Sequence, residues 1–119
     1  MTVRRMKTYT GEMGFVYQYY FVGKRAALPG DPAAPATEFI FDVTADRKTM
    51  LSSSVFLKPE ALRAWARAHG RELNDTEQYA VAKMRLFRAF DRVERFAQEG
   101  RRLQVDTADI EGLLEGLDL

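Results

Sequence analysis

Residues 74–99, NDTEQYAVAKMRLFRAFDRVERFAQE, keep one helical period for longer than any other part of the chain. Tyr79, Ala82, Leu86, Phe90, Val93 and Ala97 recur at steps of three and four, which lays them along one side of an α-helix, and Phe87 widens that side. Asn74 or Asp75 can cap the start by accepting a hydrogen bond from an unpaired N–H, and Glu77 in the first turn suits the positive end of the helix dipole. Arg95 near the far end and Gly100 beyond it form a C-terminal stop. A helix with so wide an apolar side needs a second layer to cover it.

The N-terminal half supplies that layer as strands. Arg5, Lys7 and Tyr9 alternate with Met6, Thr8 and Thr10, and the two glycines of Gly11 to Gly14 make a hairpin turn. Phe15, Tyr17, Tyr19 and Phe21 then share one strand face, with Val16, Gln18, Tyr20 and Val22 on the other. Both faces are apolar. This describes either a central strand buried on both sides or one with an exposed aromatic face, which would mark a binding surface. Gly23 to Ala36 reads as a loop holding three of the four prolines, which lack the N–H a sheet needs. A third strand, residues 37–43, points Phe39, Phe41 and Val43 inward and Glu38, Ile40 and Asp42 outward. After the turn ADRK comes a fourth, residues 50–57, with Leu51, Ser53, Val55 and Leu57 on one side.

Pro59 fits the first turn of a helix over 59–69, where its missing N–H costs nothing. Leu62, Trp65 and Ala66 lie on one side of it and Arg63 and Arg67 on another; Trp65 reads as a packing anchor, His69 as a cap in the last turn, and Gly70 as the stop. Arg101 to Val105 reads as a short extended segment. Asp106 can cap a last helix carrying Ile110, Leu113, Leu114 and Leu117 on one stripe, which Gly112 and Gly116 weaken by roughly 1 kcal/mol each.

Composition excludes several classes of chemistry. The 119 residues suit one domain with its own core. No cysteine and a single histidine remove disulfides, thiolate metal sites and most zinc or haem arrangements, so no cofactor or metal is expected. No run approaches the ~20 apolar residues of a membrane span, and MTVRRMKTYTGEMG has no apolar stretch of a signal peptide, so a cytoplasmic protein is expected. Abundant Arg and Ala over Lys suggests a GC-rich bacterial genome. Residues 103–119 carry Asp106, Asp109, Glu111, Glu115 and Asp118 with no base, while all 18 basic residues precede them. Such an acidic end either folds back on the basic body, which is the expectation here, or reaches for a partner.

Four patterns bear on chemistry. Arg85, Arg88, Arg92 and Arg95 form one ridge that could follow a nucleic-acid backbone, with Lys24 and Arg25 in support. Asp91 and Glu94 lie close enough to pair with them, and residues 75–99 balance at five acids and five bases, so a solvated, salt-bridged face is the plainer account. Tyr79 and Lys83 have the Y-x-x-x-K spacing of short-chain dehydrogenases, without the Gly-rich turn or the chain length of that nucleotide-binding fold. Ser52, Ser53 and Ser54 lack the glycine elbow and the nearby histidine of a serine nucleophile. Carboxylates at Glu38 and Asp42 or Asp46 would make an enzyme only with a cleft and a shifted carboxylate pKa.

The strings SVFLKPEAL (54–62), LFRAFDRVERFA (86–97) and LQVDTADI (103–110) resemble a small bacterial family classed as a domain of unknown function, over about residues 39–111. The resemblance implies a β-sheet-plus-helices fold. It brings no activity and no functional residues.

The expectation is a single α+β domain: four antiparallel strands at about 3–10, 15–22, 37–43 and 50–57, then helices at about 59–69, 75–98 and 107–117 on one sheet face. Its expected role is a non-catalytic protein-interaction or binding module that meets a protein partner or a second copy of itself through Phe15, Tyr17, Tyr19 and Phe21 or through Ile110, Leu113, Leu114 and Leu117. A nucleic-acid binder using the arginine ridge is the alternative, and a small carboxylate enzyme the second.

Overall fold

The alternation and the helical period become elements in the computed structural model, which describes residues 6–12, 14–27, 36–92 and 101–115. In order they are β1 (Lys7–Thr10), β2 (Val16–Ala26), β3 (Thr37–Thr44), β4 (Leu51–Leu57), α1 (Pro59–His69), α2 (Asp75–Arg92), β5 (Arg102–Val105) and α3 (Thr107–Glu115). The class is α+β, with one sheet in the order β1-β2-β3-β4-β5 and three helices among the described residues. Residues 3–5, 93–98 and 116–117 of the expected elements lie outside the described residues.

Two expectations about the sheet are corrected. It has five strands, not four, and is mixed: β1 to β4 form an antiparallel meander, and β5 runs parallel to β4 at the far edge. A parallel neighbour needs a long crossover, and the chain between Leu57 and Arg102, carrying α1 and α2, supplies it. The segment RLQV buries Leu103 and Val105 and exposes Arg102 and Gln104, a period of two too short to be seen as a strand. The second correction concerns β2, which continues through Gly23 to Ala26 where a loop was expected. Lys24, Arg25 and Ala26 pair with Phe39, Glu38 and Thr37, and a bulge between Phe21 and Gly23 resets the register. The Ala27 N–H donates to the Ala36 carbonyl at 2.8 Å, so the pairing reaches the edge of the proline-bearing residues 28–35, which lie outside the described residues.

The core lies between the inner sheet face and the helices. Phe39, Phe41 and Val43 of β3, Val55 and Leu57 of β4, and Leu103 and Val105 of β5 are buried with Val81, Ala82, Leu86, Ala89 and Phe90 of α2. Ala61 and Trp65 of α1 and Ile110, Leu113 and Leu114 of α3 complete this cluster. The inner aromatic face of the first hairpin is matched ring for ring by α2. Tyr17 stacks on Phe90 and Tyr9 on Phe87, each with centroids 4.2 Å apart, and Phe21 meets Tyr79 edge-on at 4.9 Å. Tyr17, Tyr19, Ile110, Leu113 and Leu114, expected at an interaction surface, are therefore core residues within the chain. Phe21 is half-buried and Phe15 exposed; Leu117 lies outside the described residues.

The helix ends follow local chemistry. Asn74 and Glu77 form a reciprocal capping box: Asn74 Oδ1 accepts from the Glu77 N–H at 2.8 Å, and Glu77 Oε1 accepts from the Asn74 N–H at 3.0 Å. Pro59 opens α1, and Gly70 closes it in the left-handed region (φ 74°) with its N–H on the Ala66 carbonyl. The described part of the acidic C-terminal segment, residues 103–115, folds back. Asp106 pairs with Lys58 at 2.5 Å, Asp109 with Arg88 at 3.6 Å, and Glu111 with His69 Nε2 at 2.6 Å. His69 thus does more than close α1: it stacks on Trp65 (4.3 Å between centroids) while reaching α3.

Candidate functional site

An antiparallel strand presents alternate side chains to opposite faces, so the inward set just described fixes what the other face carries. On it stand Val16, Gln18 and Tyr20 from β2, Glu38, Ile40 and Asp42 from β3, Ser54 and Phe56 from β4, and Arg102 from β5. None of these joins the core cluster, to which all three described helices belong. The register sets them in rows. Gly23, Ile40, Ser54 and Arg102 lie across the middle; Arg25, Glu38, Phe56 and Gln104 lie on one side of that row; Tyr20, Asp42 and Ser52 lie on the other.

Glu38 anchors this open face. Its Oε1 accepts from Arg25 Nε at 2.9 Å and its Oε2 from Ser54 Oγ at 2.6 Å, and the residue is only 8% exposed. The Arg25 hydrogen bond is the largest influence holding the Glu38 carboxyl below the ordinary range; burial opposes it, and Ser54 and the more distant Arg102 add to it. Arg25 itself stays 68% exposed on its side chain. Arg102 lies 4.7 Å over the Phe56 ring, and Tyr20 donates to Asp42 Oδ2 at 2.7 Å. Val16 at the end of the face is 46% exposed. A Cβ built on Gly23 would meet nothing within 4 Å, so the centre of the face is open.

The other candidates fall into three groups. In the arginine ridge, Arg85 Nε donates to the Gln104 carbonyl at 3.0 Å and Arg88 pairs with Asp109, so two of the four reach into the fold. Arg92 is exposed and Arg95 lies outside the described residues. The expected pairing with Asp91 is not what occupies that carboxylate, because Tyr9 and the Glu12 N–H do. Lys24 makes a 3.5 Å pair with Asp75 at the rim of a pocket of about 350 Å³ floored by Phe21, Phe39 and Tyr79.

Among the carboxylates, Glu38 and Asp42 are four residues apart on one strand, about 13 Å between backbone positions, and each is already hydrogen-bonded, to Arg25 and Ser54 and to Tyr20. Asp46 accepts from the backbone of Thr49 and Lys48, which hold it below the ordinary range within its turn. Of the serines, Ser53 is buried and Ser54 donates to Glu38.

The Lys83 ammonium stands 6.0 Å from the centroid of the Tyr79 ring and 5.8 Å from that of Phe87, over their faces. Burial pushes the Tyr79 hydroxyl up, the reverse of an activated tyrosine. Among the described residues no cluster of three or more His, Asp or Glu could hold a metal ion, and no helix is long and apolar enough to cross a membrane.

Arg102 and Gly23 are the parts of the open face that the sequence did not reveal. One lay in an extended segment whose pairing with β4 was not foreseen, the other in an expected loop. No family model, curated protein or solved structure matches the chain.

Proposed function

We propose that the protein is a non-catalytic interaction module that pairs with a second copy of itself through the open face of the sheet. The observation that carries this reading is the self-complementary charge of that face. Arg25 lies in the Glu38 row, Arg102 reaches from the middle row over Phe56 on the same side, and Asp42 lies one row beyond Ile40 on the other. A two-fold axis near Ile40 and Tyr20 lays the arginine end of one copy over Asp42 of the next, brings Tyr20 and Ile40 into apolar contact at the axis, and sets Val16 toward the partner's arginine end. Isologous pairing of this kind requires a patch that is its own complement. Support also comes from the ionisable groups reviewed above: Glu38 and Asp46 are already clamped by their neighbours.

The face measures about 19 Å across four strand gaps and about 24 Å along β2 and β3, roughly 450 Å² of flat area. A stable interface takes about 800 Å² per partner, so the pair is a reversible one with a micromolar or weaker Kd. Sedimentation velocity over a concentration series tests this. The wild type should move from monomer to dimer as concentration rises, and Val16→Lys, which sets a like charge against the partner's arginine end, and Gly23→Lys, at the open centre, should shift the transition to at least tenfold higher concentration. A wild type that stays monomeric, or a dimer indifferent to both changes, overturns the reading.

A further inference from the structure

Several cations of the described residues have a task in the fold. Lys24, Arg25, Lys58, Arg71 and Arg88 have acidic partners, and Arg85 has a carbonyl. Arg63 and Arg67 differ. They stand one turn apart on the exposed side of α1, with no ion-pair or hydrogen-bond partner among the described residues. Both also line one solvent-open pocket of about 380 Å³ between α1 and the turn into α2. Side chains four apart on a helix are neighbours, with Cβ atoms about 5–6 Å apart, so two guanidinium groups can converge on one anion from the same wall.

The remaining walls define the rest of the occupant. Leu62, Ala66 and Leu73 supply an apolar surface. Gln78 is held in place by donating Nε2 to the Leu73 carbonyl at 3.0 Å. The turn itself is rigidly built. Arg71 grips both oxygens of Glu77 at 2.8 Å and lies 5.0 Å over the Trp65 ring, so the pocket's far wall is fixed to α1 without using Arg63 or Arg67. Glu72 is the one acidic residue on the lining.

We infer that this pocket binds a small amphiphilic anion, a single carboxylate or phosphate head on a short apolar body, with Arg63 and Arg67 holding the head and Leu62, Ala66 and Leu73 the body. The site lies among the helices, away from the open sheet face, and is independent of self-association.

The test is a titration of the ¹⁵N-labelled full chain with hexanoate, hexyl phosphate, hexanol and hexylamine, followed by amide shifts. Both anions should give saturable shifts at Arg63, Ala66, Arg67 and Leu73, with hexanol and hexylamine at least tenfold weaker. The relative strength of the two anions assigns the head as carboxylate or phosphate. The double variant Arg63→Gln, Arg67→Gln keeps good helix formers at exposed positions and should weaken the anions about tenfold or more. Equal binding of hexanoate and hexylamine overturns the inference, as does no saturation by about 10 mM, a concentration at which binding energy is below ~3 kcal/mol. Shifts that persist unchanged in the double variant do the same.

Discussion

The Tyr9 hydroxyl lies 3.0 and 2.9 Å from the two carboxylate oxygens of Asp91, joining the first strand to the last described turn of α2 across 82 residues. The Glu12 N–H donates to the same carboxylate at 3.0 Å, so one acidic side chain fixes both the edge strand and the turn that follows it.

Tyr9→Phe keeps the ring on Phe87 and removes only the donor, so it should cost about 1–2 kcal/mol in denaturant unfolding at neutral pH. Burial first, and the Asp91 hydrogen bond next, push the Tyr9 hydroxyl up to about 12 from an ordinary 10.0. The folded state therefore keeps a proton that the unfolded chain has already lost. The stabilisation is full below about pH 10 and disappears as pH rises through about 12. The wild type should lose stability over that window more steeply than Tyr9→Phe; parallel curves would refute the linkage.

Glu77 governs the acid side. The Arg71 hydrogen bonds, followed by the Asn74 N–H, hold its carboxyl at about 2 against an ordinary 4.5. The folded anion persists where the unfolded chain takes up a proton, so this stabilisation is complete above about pH 5 and is lost as pH falls through about 2. Glu77→Gln should flatten the acid limb of the stability–pH curve, because the amide does not titrate. An unchanged limb would show that other carboxylates set it.

Three glycines should respond in different directions to alanine. A Cβ on Gly11 would sit 2.7 Å from the Phe90 carbonyl oxygen, so Gly11→Ala must push the hairpin off α2, at a cost of about 1–3 kcal/mol. Gly112 has only Arg88 Nη2 near, at 3.5 Å, and lies inside α3, so Gly112→Ala should stabilise by up to about 1 kcal/mol. Gly23→Ala should leave stability within about 0.5 kcal/mol. Thermal melts of the three variants check the order.

The arginines of α2 should separate by task. Arg85→Gln removes the bond to the Gln104 carbonyl and should cost about 1–2 kcal/mol. Arg92→Gln, at an exposed position, should stay within about 0.5 kcal/mol. Equal effects would mean that Arg85 is not structural.

What the sequence revealed was local. The helical period, Pro59, Gly70 and the cap at Asn74 each act within a few residues, and each reappears in α1 or α2. Likewise the alternation of Phe39, Phe41 and Val43 with Glu38, Ile40 and Asp42 correctly separated the two faces of β3. What stayed hidden depends on distant parts of the chain. Nothing near Arg102 says that it lies beside β4, and nothing near Asp91 says that Tyr9 will claim it. Val81 was missed because α2 is covered on two flanks: Arg85, on the same line as Val81 and Ala89, reaches β5, so that side is buried as well. The aromatic run Phe15 to Phe21 left interface and core both open, and the facing rings of α2 decide for core at Tyr17, Tyr19 and Phe21 but not at the exposed Phe15.

The parallel edge strand has a consequence for a chain still being made. β1 to β4 emerge from the ribosome as a consecutive meander that can pair at once, but β5 is synthesised only after both α1 and α2. Until residues 102–105 appear, the outer edge of β4 shows unpaired backbone groups beside Val55 and Leu57, an edge of the kind that recruits other strands. The nascent protein therefore passes through a stage in which its central sheet is nearly complete yet adhesive, and stalled or truncated chains ending before Arg102 should aggregate or engage chaperones where the full chain does not.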